Sequence, residues 1–503
     1  MFYQHYNQSQ FKGFVQTRTT VAVLGKKGQN VVDTAVTMLR VCGEKGADVY
    51  GLASSDASLT AKSPADLQKV KFDSSIIVGY AFSKILEQDR LQPLKLKDAA
   101  LVFSGRDYAH VRGDAGESFA RQFQTGREQA PVDFIRKCAG DFLFIISESE
   151  GLVAGRDTIG LRPLYYGENA FFAALATERK ALWKINIKQV ESFPTGCVGY
   201  ASKQGFRFVS VKRLEYLKPS HMTMETAAKK LQTMLELSVR ERVAELKEVA
   251  IAFSGGLDSS IIALLAKKRR VNVHLVHVAL ENQHETEHAF RAAEELKLPL
   301  YSRTYTEKDV QQAVPSVLEA IEEPDPVKLG IAIPIYWAAK RTAEMNCRVM
   351  LAGQGADELF GGYKRYVDDY LRFGGEKTRE AMFKDVARMY ETDLERDWKV
   401  CNASDVELRL PFAARRIAGF ALSLPLEVKL ETEKNTLRKL VLRRVAKNLE
   451  LPSFIADKPK KAVQYTTGVN KALGKLAEQQ DSSVREYVGK FFQNTFAKVM
   501  SNE

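Results

Sequence analysis

The sequence predicts two domains: a mixed α+β domain, followed by an α/β domain with a parallel sheet. Up to about residue 205, short apolar runs such as 20–24 and 142–146 are separated by turns, which is typical of mostly antiparallel strands. Beyond residue 247, strand-like segments at 249–253, 273–278, 300–304 and 349–351 alternate with helical periodicity. That alternation is typical of a parallel sheet with helices on both faces. The last third of the chain reads as mostly helical.

Composition sets the broad class of the protein. The chain has 503 residues, 45% of them hydrophobic and 27% charged, and contains no apolar run long enough to span a membrane. The five cysteines show no metal-ligand spacing, and we expect reduced thiols in a cytoplasmic protein. The net charge of +12 suits nucleic acid or a polyphosphate substrate. Because no nucleic-acid-binding module is recognisable, we expect neither a nucleic acid nor a membrane as partner.

The octet F-S-G-G-L-D-S-S at residues 253–260 is the most informative motif. It lies between an apolar strand and an apolar helical segment, where glycines and serines can surround an anion at a helix N-terminus. Asp258 would be misplaced beside a phosphate unless it holds a Mg²⁺ that the phosphates share. The loop resembles the pyrophosphate loop of ATP pyrophosphatases, which split ATP to AMP and pyrophosphate. The alternative is an ordinary strand-turn-helix corner.

A second glycine-rich loop follows the strand at 349–351 and carries Gly353, Gly355 and Asp357. The carboxyl ends of parallel strands lie at the same edge of the sheet, where ligands bind. We therefore predict that Asp258 and Asp357 share one Mg²⁺. Taken alone, either carboxylate could instead be a helix N-cap.

With these motifs and V-E-L-R-L-P-F at 406–412, the chain resembles the asparagine synthetase family over nearly its whole length. The resemblance implies an Ntn-hydrolase-like αββα sandwich of the class II amidotransferase type. An ATP pyrophosphatase domain would follow, with an adenine nucleotide α-hydrolase-like, Rossmann-like parallel sheet and a helical C-terminal part. The expected boundaries are an extension at 1–18, a glutaminase-like domain at 19–205 and a synthetase domain at 206–503.

The resemblance also implies site residues. Asp258 and Asp357 would hold Mg²⁺, and Glu322 would help to deprotonate the attacking ammonia. Lys461 would neutralise charge at the α-phosphate, with Lys460 left open as the alternative. The residues expected to bind ATP are Ser254, Gly255, Gly256, Asp258, Ser259, Val278, Gly353 and Gly355.

The N-terminal domain lacks the residues that glutamine hydrolysis requires in this family. That reaction uses a cysteine as first residue, whereas no cysteine precedes Cys42 and Thr19 stands at the nucleophile position. In the glutamine-binding stretch, Ser104 and Arg106 replace the family's asparagine and glutamate, and residues 80–84 lack its arginine-leucine pair. We therefore expect an inactive glutaminase domain. The alternative is self-cleavage before Thr19 or Thr20, which would expose a threonine nucleophile.

The resulting functional prediction is an ATP-dependent, amide-forming ligase. Aspartate, ATP and ammonia would give asparagine, AMP and pyrophosphate through β-aspartyl-AMP. One alternative is intramolecular amide formation as in β-lactam synthetases, which typically have tyrosine at the position of Glu322. The other alternative is a non-catalytic relative of the family. A homodimer and a separate source of ammonia both stay open.

Overall fold

The computed structural model describes residues 18–43, 46–69, 72–109, 113–431, 437–459 and 463–500. Within these ranges the N-terminal domain contains a seven-stranded and a six-stranded antiparallel sheet. Its strands are β1 (Thr19–Gly25), β2 (Val49–Ala53), β3 (Ser58–Ala61), β4 (Ile76–Phe82), β5 (Leu94–Leu96), β6 (Ala99–Arg106), β7 (Asp141–Ser147), β8 (Leu152–Arg156), β9 (Tyr165–Glu168), β10 (Phe172–Ala176), β11 (Glu191–Ser192), β12 (Cys197–Ser202) and β13 (Gly205–Ser210). Its helices are α1 (Val32–Cys42), α2 (Pro64–Leu67), α3 (Ala115–Thr125), α4 (Ala130–Lys137) and α5 (Arg179–Lys184).

The two sheets stack face to face between two layers of helices. The strand orders are β11-β9-β10-β1-β4-β2-β3 and β13-β12-β8-β7-β6-β5. Successive side chains of β1 point to opposite faces. Val21 and Val23 pack under α1 and α5, whereas Ala22 and Leu24 pack between the sheets. Because both faces of β1 are buried, its residues 21–24 are all apolar. The predicted αββα sandwich is confirmed.

The C-terminal domain is built on a five-stranded parallel sheet with the order β16-β15-β14-β17-β18. Its strands are β14 (Glu248–Ala252), β15 (Asn272–Leu280), β16 (Leu300–Tyr305), β17 (Val349–Leu351) and β18 (Glu407–Arg409). Its helices are α6 (Met224–Val243), α7 (Leu257–Lys267), α8 (His284–Leu296), α9 (Glu307–Ile321), α10 (Pro326–Glu344), α11 (Ala356–Phe360), α12 (Lys364–Met389), α13 (Glu395–Asn402), α14 (Arg415–Ser423), α15 (Leu440–Asn448), α16 (Ser453–Ala456), α17 (Val463–Thr466), α18 (Val469–Glu478) and α19 (Val484–Met500).

The order of the strands positions the site. After β14 the chain adds β15 and β16 on one side, and then crosses to add β17 and β18 on the other. The direction therefore reverses beside β14, which makes the carboxyl ends of β14 and β17 a topological switch point where a crevice forms. The predicted parallel α/β architecture is confirmed. Across the described ranges, none of the helices has the length and apolar character needed to cross a membrane.

Candidate functional site

The loop between β14 and α7 leaves the N-terminus of α7 available to an anion. Gly256 is the N-cap residue and provides no side-chain cap. Its N–H donates to Ser254 Oγ at 3.3 Å, and the hydroxyls of Ser254 and Ser259 lie 3.3 Å apart. Gly255 has a φ of +66°, a conformation that favours glycine. The loop thus combines hydroxyl groups with the positive end of a helix, as a phosphate site requires.

Two histidines hold the backbone of this loop through hydrogen bonds to its carbonyl oxygens. His288 Nε2 lies 2.9 Å from the carbonyl oxygen of Gly255, and His277 Nδ1 lies 3.0 Å from that of Phe253. Since a carbonyl oxygen only accepts, both ring nitrogens donate. The pKa of His277 is lowered, chiefly because burial disfavours its charged form. Neither histidine featured in the sequence prediction, and both act on the backbone of the loop.

Glycines let the second loop approach the first. A Cβ atom on Gly353 would lie 3.0 Å from the Cβ of Asp258, and Gly355 has a φ of +89°. A Cβ on Gly362 would lie only 1.8 Å from Oδ1 of Asp357. The glycine positions of this loop therefore place the backbone close to both carboxylates.

The structure brings Asp258 and Asp357 together around a lysine that the sequence analysis missed. Lys439 Nζ lies 2.7 Å from Asp258 Oδ2 and 2.8 Å from Asp357 Oδ1. Its side chain is 3% exposed, so this ammonium group is almost fully enclosed. Lys439 is 181 residues from Asp258 in the chain, and a basic residue before an amphipathic helix gives no distinctive signal.

The two carboxylates fit a magnesium ion by their chemistry. Oδ1 of Asp258 is buried and accepts no hydrogen bond within the ranges that the structure describes. Carboxylate oxygens are the ligands that Mg²⁺ prefers, and Mg²⁺ often takes only one or two from the protein. No cluster of three or more histidine, cysteine, aspartate or glutamate side chains with metal-binding geometry occurs in the described residues. The other ligands would therefore have to be phosphate oxygens and water.

Glu322 lies at the boundary between the two domains, directly after α9. It is 2% exposed and has a φ of +58°. Its carboxylate accepts hydrogen bonds from the backbone N–H groups of Arg179 and Lys180, at 2.9 and 2.8 Å, and from Lys399 Nζ at 2.6 Å. Burial works against its ionisation, but Lys399 and then Lys180 outweigh burial, so its pKa is lowered. As arranged here, Glu322 joins the domains and is a weak proton acceptor.

Helix α13 connects the surroundings of Glu322 to the second glycine-rich loop. Lys399 contacts Glu322, while Asp397 lies near Gln354 of the second loop. Burial raises the pKa of Asp397 to about 6, although Arg396, whose Nε lies 2.7 Å from the carboxylate, and Gln354 both lower it. One helix thus carries contacts to both regions.

The remaining predicted residues are placed as follows. Val278 is a buried residue of β15 and pairs with Arg303 of β16 in the sheet register. Lys460 and Lys461 lie outside the described residues, so the assignment of the lysine stays a prediction. The segment before them is anchored, because Lys458 forms an ion pair with Glu285 at the start of α8.

The residues expected to bind glutamine in an active glutaminase surround a small cavity of about 40 Å³. Arg106 extends beside it and pairs with Asp89 and with Glu407 of the other domain, with Nη2–Oε2 of 2.8 Å to Glu407. One water molecule needs about 10–15 Å³ of cavity volume, so the cavity has room for only a few waters. The lining residues are Arg18, Tyr80, Phe82, Ser83, Ile85, Asp89, Arg90, Gln92, Phe103, Ser104, Gly105, Arg106, Asp114, Arg162 and Glu407.

Thr19 is buried and engaged within the N-terminal domain. Its Oγ1 donates to Glu178 Oε1 at 2.7 Å. The preceding residue, Arg18, is 6% exposed, pairs with Glu407 at 3.4 Å and accepts a hydrogen bond from Asn402 at its carbonyl oxygen. The bond that self-cleavage would break is therefore part of the interface between the domains, which argues against processing at this point.

Comparisons with known proteins agree with both halves of the chain. A family model described as asparagine synthase matches residues 230–376 and 373–501, and one described as a glutamine amidotransferase domain matches residues 88–184. The chain is 30% identical to a putative glutamine-hydrolysing asparagine synthetase of Methanocaldococcus jannaschii, over 95% of this chain and 98% of that protein. It is 25% identical to the glutamine-hydrolysing asparagine synthetase B of Escherichia coli K12, over 95% of this chain and 86% of that protein.

Among solved structures, the glutamine phosphoribosylpyrophosphate amidotransferase of B. subtilis, complexed with ADP and GMP, is 14% identical. The matched region covers 56% of this chain and 65% of the amidotransferase chain, with a TM-score of 0.34. This partial likeness is too low to add to the fold described above.

Proposed function

The chain belongs to the asparagine synthetase family, and on that premise we propose that it makes asparagine from aspartate, ATP and free ammonia. Because it belongs to this family, the protein is an enzyme, an ATP-dependent ligase. The finer proposal is that the β-carboxylate of aspartate attacks ATP to give β-aspartyl-AMP and pyrophosphate. Ammonia would then attack the acyl carbon, and asparagine and AMP would leave. We also propose the expected boundaries at residues 18 and 205 for the extension and the two domains.

The phosphate loop supports the first half of this reaction. Ser254, Gly255, Gly256 and Ser259 would bind the pyrophosphate portion of ATP, because their hydroxyl and N–H groups converge at the N-terminus of α7. On the second loop, Gly353 and Gly355 would let the backbone approach the nucleotide, and Val278 would lie beside the adenine. Asp258 and Asp357 would hold Mg²⁺. When bound, this ion would neutralise charge on the phosphates as pyrophosphate leaves.

The second half needs an unprotonated nucleophile and stabilisation of the tetrahedral intermediate. We propose Glu322 as the proton acceptor and Lys461 as the cation beside the α-phosphate. Glu322 accepts three hydrogen bonds, and the Lys399 ammonium lowers its pKa, so release of Lys399 would make this carboxylate a stronger acceptor for the proton of the amine. The proposal for Glu322 therefore includes a displacement of the Lys399 ammonium.

The observation that carries dependence on free ammonia is the interface at Arg106. The cavity of about 40 Å³ beside it is far below the roughly 300 Å³ of a typical ligand pocket. Positions that would contact glutamine are occupied by the partly buried Arg106 and by Glu407 of the other domain. A glutamine would have to break these ion pairs to enter. We infer that the N-terminal domain supports the synthetase domain and hydrolyses no glutamine.

The activation step is tested by ATP–pyrophosphate exchange with aspartate and Mg²⁺. Exchange in the wild type, and its loss by roughly 1,000-fold in Asp258→Asn, is the expected result. Asp133→Asn, at a partly exposed position of α4 in the N-terminal domain, is the matched control and should exchange normally. Exchange with other carboxylates but not with aspartate would replace the proposed substrate, and cyclisation of an amino-carboxylate would then be examined.

A further inference from the structure

The ammonium group of Lys439 occupies the place that the metal assignment gives to Mg²⁺. It lies within 2.8 Å of both carboxylates and is nearly inaccessible to solvent. A Mg²⁺ ion binds oxygen at about 2.0–2.1 Å. A metal bound to the two oxygens that Nζ contacts, Asp258 Oδ2 and Asp357 Oδ1, would overlap with the ammonium. A metal bound instead to Oδ1 of Asp258 would be repelled by the ammonium charge beside it.

The backbone holds Lys439 in this position. The residue precedes α15 and has a φ of +59°, while the next N–H group, of Leu440, donates to the carbonyl oxygen of Lys429 at 3.0 Å. Gly362 provides the space, since a Cβ there would lie 2.5 Å from Cε of Lys439. The backbone of the lysine is thus a fixed part of the site. Nζ could change partner only through rotation about the bonds of its side chain.

We infer that Lys439 is an internal counter-ion that keeps free divalent cations out of the empty site, so that metal enters only with the nucleotide. Without nucleotide, the ammonium neutralises the two carboxylates and repels a second cation. The phosphates of ATP offer Nζ a more negative partner, beside the same two loops. Once Nζ turns to the phosphates, the carboxylate oxygens become available to the metal. This inference rests on the metal assignment in the proposed function.

The test measures binding of Mn²⁺ to the full-length protein by electron paramagnetic resonance, with and without a non-hydrolysable ATP analogue. The variant is Lys439→Met, which keeps the length of the side chain and removes its charge. We expect the wild type to bind Mn²⁺ at this site only with the analogue, and Lys439→Met to bind Mn²⁺ at least tenfold more tightly than the wild type without it. The double variant Asp258→Asn/Lys439→Met should lose the gain, which assigns it to these carboxylates.

Two further measurements keep the outcome decisive. Mn²⁺ alone should raise the melting temperature of Lys439→Met but not of the wild type, and Lys439→Gln provides a second neutral side chain if methionine prevents folding. Lys439→Arg keeps the charge and should behave as the wild type.

Equal Mn²⁺ affinity of the wild type and the folded neutral variants without nucleotide would overturn the inference. Absence of Mn²⁺ from every form, with the analogue present, would overturn it together with the metal assignment. Failure to make asparagine leaves these binding results unchanged, so the two failures are distinguishable.

Discussion

Arg106 in the N-terminal domain forms an ion pair with the buried Glu407 of the C-terminal domain, with Nη2–Oε2 of 2.8 Å. Arg409 and Arg18 also contact this carboxylate, at 2.6 and 3.4 Å. In the asparagine synthetases that this chain resembles, a glutamate stands at the position of Arg106, in the stretch that binds glutamine. Here an arginine stands at that position and joins the two domains.

Loss of the Arg106 side-chain charge should destabilise the protein strongly. Arg106→Met removes the arginine partner of Asp89 and one of the arginines that contact Glu407, so we expect a loss at the lower end of the about 3–5 kcal/mol that breaking a buried pair from one side costs. Arg303→Met is the control, because its pair with Glu344 is half-exposed and such pairs contribute about 0–1 kcal/mol. Urea denaturation followed by circular dichroism compares the midpoints. Equal midpoints for the two variants would contradict the structural role of Arg106.

The contribution of Glu407 should depend on pH. Burial opposes its ionisation, but Arg106 and Arg409 outweigh burial and hold its pKa well below the usual range. A depressed folded-state pKa gives stability that is complete above the unfolded pKa of about 4.3 and is lost as the pH falls further. Glu407→Gln should therefore be less stable than wild type at pH 7, and the difference should shrink below about pH 4.3. A difference that stays constant from pH 7 to pH 3.5 would argue against this ion pair.

The close approach at Gly362 should be essential for activity. A methyl group there would lie 1.8 Å from Asp357 Oδ1 and 2.5 Å from Lys439 Cε, so Gly362→Ala must displace the carboxylate or the lysine. We expect ATP–pyrophosphate exchange to fall by at least 100-fold, in the range seen when a catalytic electrostatic group is lost. Gly474→Ala, in the interior of α18 with no atom within 4 Å of the added Cβ, is the matched control. It should keep activity and gain about 1 kcal/mol of stability. Full activity of Gly362→Ala would contradict the described geometry.

Removal of Lys399 tests the proposed role of Glu322. Lys399 is the largest favourable influence on the ionised form of Glu322, so Lys399→Met should raise the pKa of that carboxyl. If Glu322 accepts the proton in the amide-forming step, the acid limb of the pH–rate profile should move to higher pH. Lys340→Met removes the charge of a partly buried lysine on α10 and should leave the profile in place. An unchanged acid limb in Lys399→Met would leave Glu322 with its structural role alone.

Much of the architecture could be predicted from local patterns. The apolar runs of β14, β15 and β17 locate the parallel sheet because strands buried on both faces have no polar side. The loops at Gly353 and Asp258 were identifiable because a turn, a helix start and a carboxylate are all encoded within a few residues. The sheet order places these two loops side by side, so that both aspartates reach the same point of the site.

What the sequence did not predict depends on long-range contacts. Lys439 is 181 residues from Asp258, and Arg106 is 301 residues from Glu407. Neither pairing produces a local signal, since an isolated lysine or arginine usually lies on a solvated surface. The short strand β18 was also missed as a strand, because three residues show too little periodicity.

The source of the amide nitrogen tests the central claim most directly. Purified protein would be supplied with aspartate, ATP and Mg²⁺, and with either ¹⁵N-ammonium or glutamine labelled with ¹⁵N in its amide, while asparagine is followed by mass spectrometry. We expect labelled asparagine from ammonium and none from glutamine, with one pyrophosphate released per asparagine. Labelled asparagine from glutamine, at a rate comparable with that from ammonium, would contradict the loss of glutaminase activity at Thr19 and Arg106.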